Sequence, residues 1–152
     1  MPQSLDTIYL HLVFSTKNRD PWLRGDHLPS MHRYLASVSR DLGAPAVQVG
    51  GVTDHLHLLT RFPRTLTVAE WVNKLKSNSS KWFKDQSTTR DHGGFAWQKG
   101  YGVFSISVTH VDAARAYIAN QEAHHRKVTF QDEYRGLLNK HGVEFDERYV
   151  WD

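Results

Sequence analysis

The sequence predicts an α+β fold in which an antiparallel sheet is covered by helices, with a further helix added toward the C-terminus. Two observations predict it. Apolar residues recur with period two in some segments and with period 3.6 in others. The resulting order is strand, helix, strand, strand, helix, strand and then helix, the pattern of a ferredoxin-like layer. The chain has 152 residues, enough for one ordinary core, so a single domain spanning 1–152 is expected. Five Trp, six Tyr and seven Phe spread along it supply the large apolar side chains that a disordered chain would lack.

The first strand lies within Asp6–Thr16, where Ile8, Leu10, Leu12 and Phe14 alternate with Tyr9, His11, Val13 and Ser15. Leu28–Leu42 follows as a helix with Met31, Leu35, Val38 and Leu42 on one face, and Gly43 and Pro45 stand where a helix stops. Ala46–Val49 and Asp54–Arg61 read as two strands joined through Gly50-Gly51-Val52-Thr53.

Thr67 with Glu70 forms a capping box that opens the second helix. Its stripe of Val68, Trp71, Val72, Leu75, Ser79, Trp82 and Phe83 opposes a basic face of Lys74, Lys81 and Lys84. Trp71 and Trp82 lie on the apolar stripe and are expected in the core, away from any base-stacking surface. Ser87–Gly94 reads as a polar loop, and Phe95–Trp97 and Val103–Val108 as short strands around Gly100-Tyr101-Gly102. The glycine pair lacks a following Lys-Ser/Thr and reads as a turn, not as a phosphate loop. A third helix is expected from Val111 to Lys127, opened near Thr109 and Asp112. The tail from Phe130 to Asp152 has enough apolar mass for a short helix and an ending segment.

The absence of cysteine excludes disulfide frameworks, thiolate zinc sites and thiol nucleophiles. Met1–Asp6 is short and polar, with no apolar stretch of signal-peptide or membrane-spanning length after it, so a cytoplasmic location is expected. The overall charge of +3 selects no partner, but its distribution is uneven. Between residues 61 and 84, Arg61, Arg64, Lys74, Lys76, Lys81 and Lys84 stand against Glu70 alone, a segment suited to a polyanion. Arg61, Lys74, Lys81 and Lys84 are therefore candidate DNA-binding residues, although an ordinary solvated helix face would look the same.

The most informative segment is Asp54-His55-Leu56-His57-Leu58-Leu59. On a strand His55 and His57 share one face while Leu56 and Leu58 point into the core, so two imidazoles are offered to one ion. A pair of histidines with no ligand is the alternative. Tyr117 and Gln121, four residues apart, project from one face of the third helix. Two neutral imidazoles and an amide oxygen would leave a divalent ion's charge free to polarise a phosphate, and a phenol could then attack it. His124 and His125 follow three and four residues after Gln121 and read as a helix C-terminus interacting with its dipole.

The His55-Leu56-His57 strand, the Tyr117-Ile118-Ala119-Asn120-Gln121 helix, Val13-Phe14-Ser15-Thr16-Lys17 and the stretch Trp97–Ser105 together resemble the single-tyrosine HUH transposases of small bacterial insertion sequences. The resemblance covers nearly the whole chain. It implies a single-stranded DNA endonuclease and strand transferase acting at hairpin-flanked ends through a 5′-phosphotyrosine. Tyr117 would be the nucleophile, and His55, His57 and Gln121 the ligands of Mg2+ or Mn2+. A homodimer with shared active sites is also implied. Two readings from the residues compete: a histidine-metal phosphoesterase that activates water, and a non-catalytic nucleic-acid-binding module.

Overall fold

A computed structural model describes residues 2–86 and 92–152. Four strands, β1 (Tyr9–Ser15), β2 (Ala46–Val52), β3 (His55–Arg61) and β4 (Gly102–Ile106), form a sheet in the order β2-β3-β1-β4. Every pairing is antiparallel. Helix α1 (His27–Asp41) connects β1 to β2, and α2 (Val68–Asp85) connects β3 to β4. This is the ferredoxin-like arrangement expected of the sequence. Three further helices follow: α3 (Val111–Ala119), α4 (Gln121–His124) and α5 (Phe130–Lys140).

The period-two pattern sorts the sheet into two differently covered faces. Leu12 and Phe14 of β1 and Leu56 and Leu58 of β3 pack in one core with Met31 and Leu35 of α1 and with Trp71, Leu75 and Phe83 of α2. Burial of each such side chain stabilises the fold by about 1.5–3 kcal/mol. On the other face, Val13 and Phe104 pack with Phe130, Tyr134 and Leu138 of α5. Thr67 Oγ1 accepts the Glu70 N–H at 3.1 Å, as the capping box requires, and Thr129 opens α5 in the same way from Asp132 N–H. Trp71 is fully buried and donates its indole N–H to Ser39 Oγ at 2.9 Å, while Trp82 stacks on Tyr34.

Three local expectations change. The β2–β3 hairpin turns at Thr53-Asp54, and β2 runs through both glycines instead of ending before them. Gly50 is required by packing: a Cβ there would lie 2.0 Å from the Ile118 carbonyl oxygen, so its absence lets α3 seat on β2. Phe95–Trp97 forms no strand, only an isolated bridge between Trp97 and Thr16. The third helix is interrupted. A 3-10 turn capped by Ser107 precedes α3, and the backbone at Asn120 (φ −97°, ψ 20°) separates α3 from α4. Of the expected loop at 87–94, residues 87–91 lie outside the described residues. His92 is buried, stacked on Phe83 and donating from Nδ1 to the Phe83 carbonyl. Among the described residues no helix is long and apolar enough to cross a membrane.

Candidate metal centre and nucleophile

Alternation along β3 puts His55 and His57 on the face covered by α3, α4 and α5, and register pairs them with Ser15 and Val13 of β1. Both are fully buried. His55 Nδ1–H donates to Asp54 Oδ1 at 2.7 Å, and His57 Nδ1 shares a proton with Nε2 of the buried His11 at 2.7 Å. The two Nε2 atoms therefore point inward, toward the Glu133 carboxylate delivered by α5. Oε1 of Glu133 lies 2.8 Å from His57 Nε2 and 3.3 Å from His55 Nε2. His125 completes the group: its Nδ1–H donates to the Val128 carbonyl at 2.6 Å, and its Nε2 lies 3.1 Å from the same Oε1.

Helix α3 and the turn after it add the other two groups. Tyr117 donates its hydroxyl hydrogen to Glu133 Oε2, and Gln121 Nε2 donates to that same oxygen at 3.0 Å. Gln121 Oε1 lies 3.2 Å from His55 Nε2. Tyr117, His55, His57 and Gln121, the four candidate site residues, are thus gathered in one place within a single chain. A groove of about 680 Å³ opens beside the phenol, lined by His11, Ile106, Ala113, Leu137 and His141 among others.

The protons in this cluster do not match its acceptors. His125 has committed its Nδ1–H elsewhere, so in the neutral ring its Nε2 carries a lone pair. That lone pair faces the Glu133 carboxylate, an acceptor too, and His125 Nε2 is buried with no hydrogen bond. A cation would resolve the conflict. The four donor atoms of His55, His57, His125 and Glu133 lie within 4.8 Å of one another, a spacing that suits one divalent ion. The outer partners Asp54, His11 and Val128 O orient the rings in the manner typical of metal-bound imidazoles.

Burial and neighbouring charge set the protonation of the cluster when no ion is bound. Burial, with help from His55 and His125, pushes His57 down to about 4 despite the nearby carboxylate, and burial with help from His57 pushes His11 down to about 3, so both rings are neutral. Burial opposes the charge on His55, but Asp54 and Glu133 outweigh it and raise the ring to about 9. Burial also opposes the charge on Glu133, yet His125, His55 and His57 hold its carboxyl far below the usual range, so it is ionised. Burial and the Glu133 carboxylate push the Tyr117 phenol above its ordinary value.

The basic candidates lie elsewhere. Lys74, Lys81 and Lys84 are exposed on α2, in the layer on the opposite side of the sheet from the histidines. Arg61, at the end of β3, pairs with Asp6 at 3.1 Å. Sequence reasoning missed Glu133, and it favoured a dipole partner over a metal or phosphate contact for His125. The signal for Glu133 was its place on the apolar side of α5, beside Tyr134 and between Phe130 and Leu138, where an unpaired carboxylate would be costly.

Residues 4–121 match the family described as Transposase IS200 like. The chain belongs to this family, and transposition of DNA is the activity the family defines. No curated protein sequence matches it. Two solved structures share its fold. One is a candidate transposase from Deinococcus radiodurans R1, with 22% identity and a TM-score of 0.61, covering 80% of this chain and 95% of that one. The other is a REP-associated tyrosine transposase bound to a REP hairpin, with 17% identity and a TM-score of 0.60, covering 90% and 86%.

Proposed function

We propose that this chain is a metal-dependent single-stranded DNA endonuclease and strand transferase that cuts at hairpin-flanked sites with Tyr117 as its nucleophile. The observation that carries the reading is the convergence of the Tyr117 hydroxyl with two inward-facing imidazoles and the Gln121 amide at one buried cluster. His55, His57 and Gln121 would hold Mg2+ or Mn2+. Such an ion would polarise the scissile phosphate and stabilise the charge that develops on it.

The rest of the step belongs to the chain. The Tyr117 oxygen bonds to phosphorus, the bond from phosphorus to the 3′ oxygen breaks, and the phenolic proton is replaced by one on the departing 3′-hydroxyl. The product is a 5′-phosphotyrosine whose ester retains the energy of the cut bond, so a 3′-hydroxyl can later displace Tyr117 and reseal DNA without a nucleotide cofactor. The groove beside Tyr117 has the size of a small-molecule site and offers room for the nucleotides flanking the cut.

Single-stranded DNA with hairpin ends is the proposed partner, and the hairpin carried by the REP-associated neighbour supports it by analogy of fold. Arg61, Lys74, Lys81 and Lys84 would engage DNA by charge, the three lysines at a distance from the cut. The family resemblance adds a homodimer acting in the cytoplasm. Tyr117 already meets the histidines of its own chain, so a shared site is not needed for the cluster to be complete.

The test is incubation with end-labelled single-stranded DNA bearing flanking hairpins, with Mg2+ or Mn2+, followed by denaturing electrophoresis. A covalent protein–DNA adduct that is lost in Tyr117→Phe and on chelation is expected. Absence of the adduct, or an adduct that survives Tyr117→Phe, overturns the reading. Turnover that persists in Tyr117→Phe without any adduct would instead favour a water-activating phosphoesterase.

A further inference from the structure

Glu133 and His125 lie beyond residues 4–121, the segment matched to the family, yet they sit at the centre of the site. Glu133 Oε1 is within 3.3 Å of three imidazole Nε2 atoms, while Oε2 accepts from Tyr117 and from Gln121. A carboxylate that only satisfied hydrogen bonds would face ring N–H groups, but His125 has turned its N–H away, toward Val128, and its buried Nε2 has no hydrogen bond although it lies 3.1 Å from Oε1. Gln121 has its amide nitrogen committed to Glu133, leaving its oxygen as one more acceptor directed at the cluster. The surroundings are those of a ligand.

We propose that Glu133 is a metal ligand of this site, binding the ion through Oε1 while Oε2 holds the Tyr117 hydroxyl, and that His125 supplies an additional nitrogen ligand. The inference rests on the metal-dependent reading given above and extends it. One carboxylate then ties nucleophile and ion together, so that α5 sets their relative position. The donor set also changes character. Two histidines and an amide leave a divalent ion its full double charge, whereas an ionised carboxylate halves it and adds a hard oxygen donor suited to Mn2+ or Mg2+.

The experiment measures metal binding, not cleavage. The full chain, stripped of metal by chelation and dialysis, is titrated with Mn2+ alone. Free ion is followed by electron paramagnetic resonance and heat by calorimetry, for the wild type, Glu133→Gln and His57→Ala. The expected result is one tightly held Mn2+ in the wild type, affinity lowered at least about tenfold in Glu133→Gln, and binding lost in His57→Ala. Unchanged or tighter binding in Glu133→Gln, with loss in His57→Ala, overturns the proposal and leaves the metal-dependent reading standing. No binding by the wild type, or indifference to His57→Ala, overturns both.

A second measurement needs no variant at position 133. With carboxyl-13C glutamate incorporated, the Glu133 resonance of the wild type should be broadened by a substoichiometric amount of Mn2+ before the other glutamates. A Glu133 resonance that stays sharp overturns the proposal even where Glu133→Gln fails to fold, and broadening is the result that the proposal requires of an adjacent ion, with the loss of affinity in Glu133→Gln assigning the ligand.

Discussion

The hydroxyl of Tyr117 and the carboxylate of Glu133 are joined by a hydrogen bond that links α3 to α5 across the site. Both residues also touch others: Tyr117 packs edge-on against His57, and Glu133 meets four imidazoles. Groups that share partners in this way do not contribute additively. A double-mutant cycle of Tyr117→Phe and Glu133→Gln, read from denaturant unfolding of the metal-free protein, should return a coupling energy of about 0.5–3 kcal/mol. A cycle that closes additively would show the hydrogen bond to be energetically idle.

Replacing Gly50 tests the seat of the helix that carries Tyr117. A methyl group there meets the Ile118 carbonyl at 2.0 Å, and backbone on both sides leaves α3 to move. Gly50→Ala should cost about 1–3 kcal/mol, which for a chain of this size lowers Tm by roughly 2–4 °C for each kcal/mol. Adduct formation should fall by more than the loss of folded protein accounts for, because Tyr117 is the residue before Ile118. Thermal melts and single-turnover cleavage on the same samples compare the two effects.

Stability should pass through a maximum near pH 6.5–7 when metal is absent. His57 is lowered to about 4, His11 to about 3 and His32, by burial, to about 4. Below an unfolded value of about 6.5 the unfolded chain binds protons that these rings refuse, so stability falls as pH falls toward 4. His55, raised to about 9, acts in the opposite sense. Its contribution is full below pH 6.5 and is lost as pH rises through 9. Each unbalanced proton changes stability by about 1.4 kcal/mol per pH unit. Urea midpoints at pH 5, 6.8 and 9 in the presence of a chelator should show the decline on both sides.

Asp54 touches no substrate in this reading but fixes the ring of His55 from a partly exposed position, with Oδ1 2.7 Å from Nδ1. Asp54→Asn preserves shape and removes the carboxylate. It should weaken Mn2+ binding by about 10–100-fold, measured by calorimetry, and move the alkaline decline of stability to lower pH. An affinity equal to that of the wild type would place the orienting force elsewhere.

Much of this was legible in the chain because two periodicities do not depend on distant context. Histidines alternating with leucines fix which side of β3 carries the imidazoles, and spacing by four brings Tyr117 and Gln121 to one carboxylate even though the helix breaks at Asn120. Glu133 is harder to read, since a carboxylate on an amphipathic helix usually faces water and its place between Phe130 and Leu138 is the one local hint that this one turns inward. The hairpin turn was misplaced for a related reason. Gly50 and Gly51 read locally as a turn, but Gly50 is demanded by the helix packed over it.

Because β3 is covered on both sides, its pairing frame carries two kinds of information at once. His57 lies opposite Val13, and Leu58 opposite Leu12. A slip of one residue would drive two imidazoles into the aliphatic layer and present leucines to α3, α4 and α5. A misthreaded molecule would lose its core and its polar cluster together, so a single pairing frame guards both.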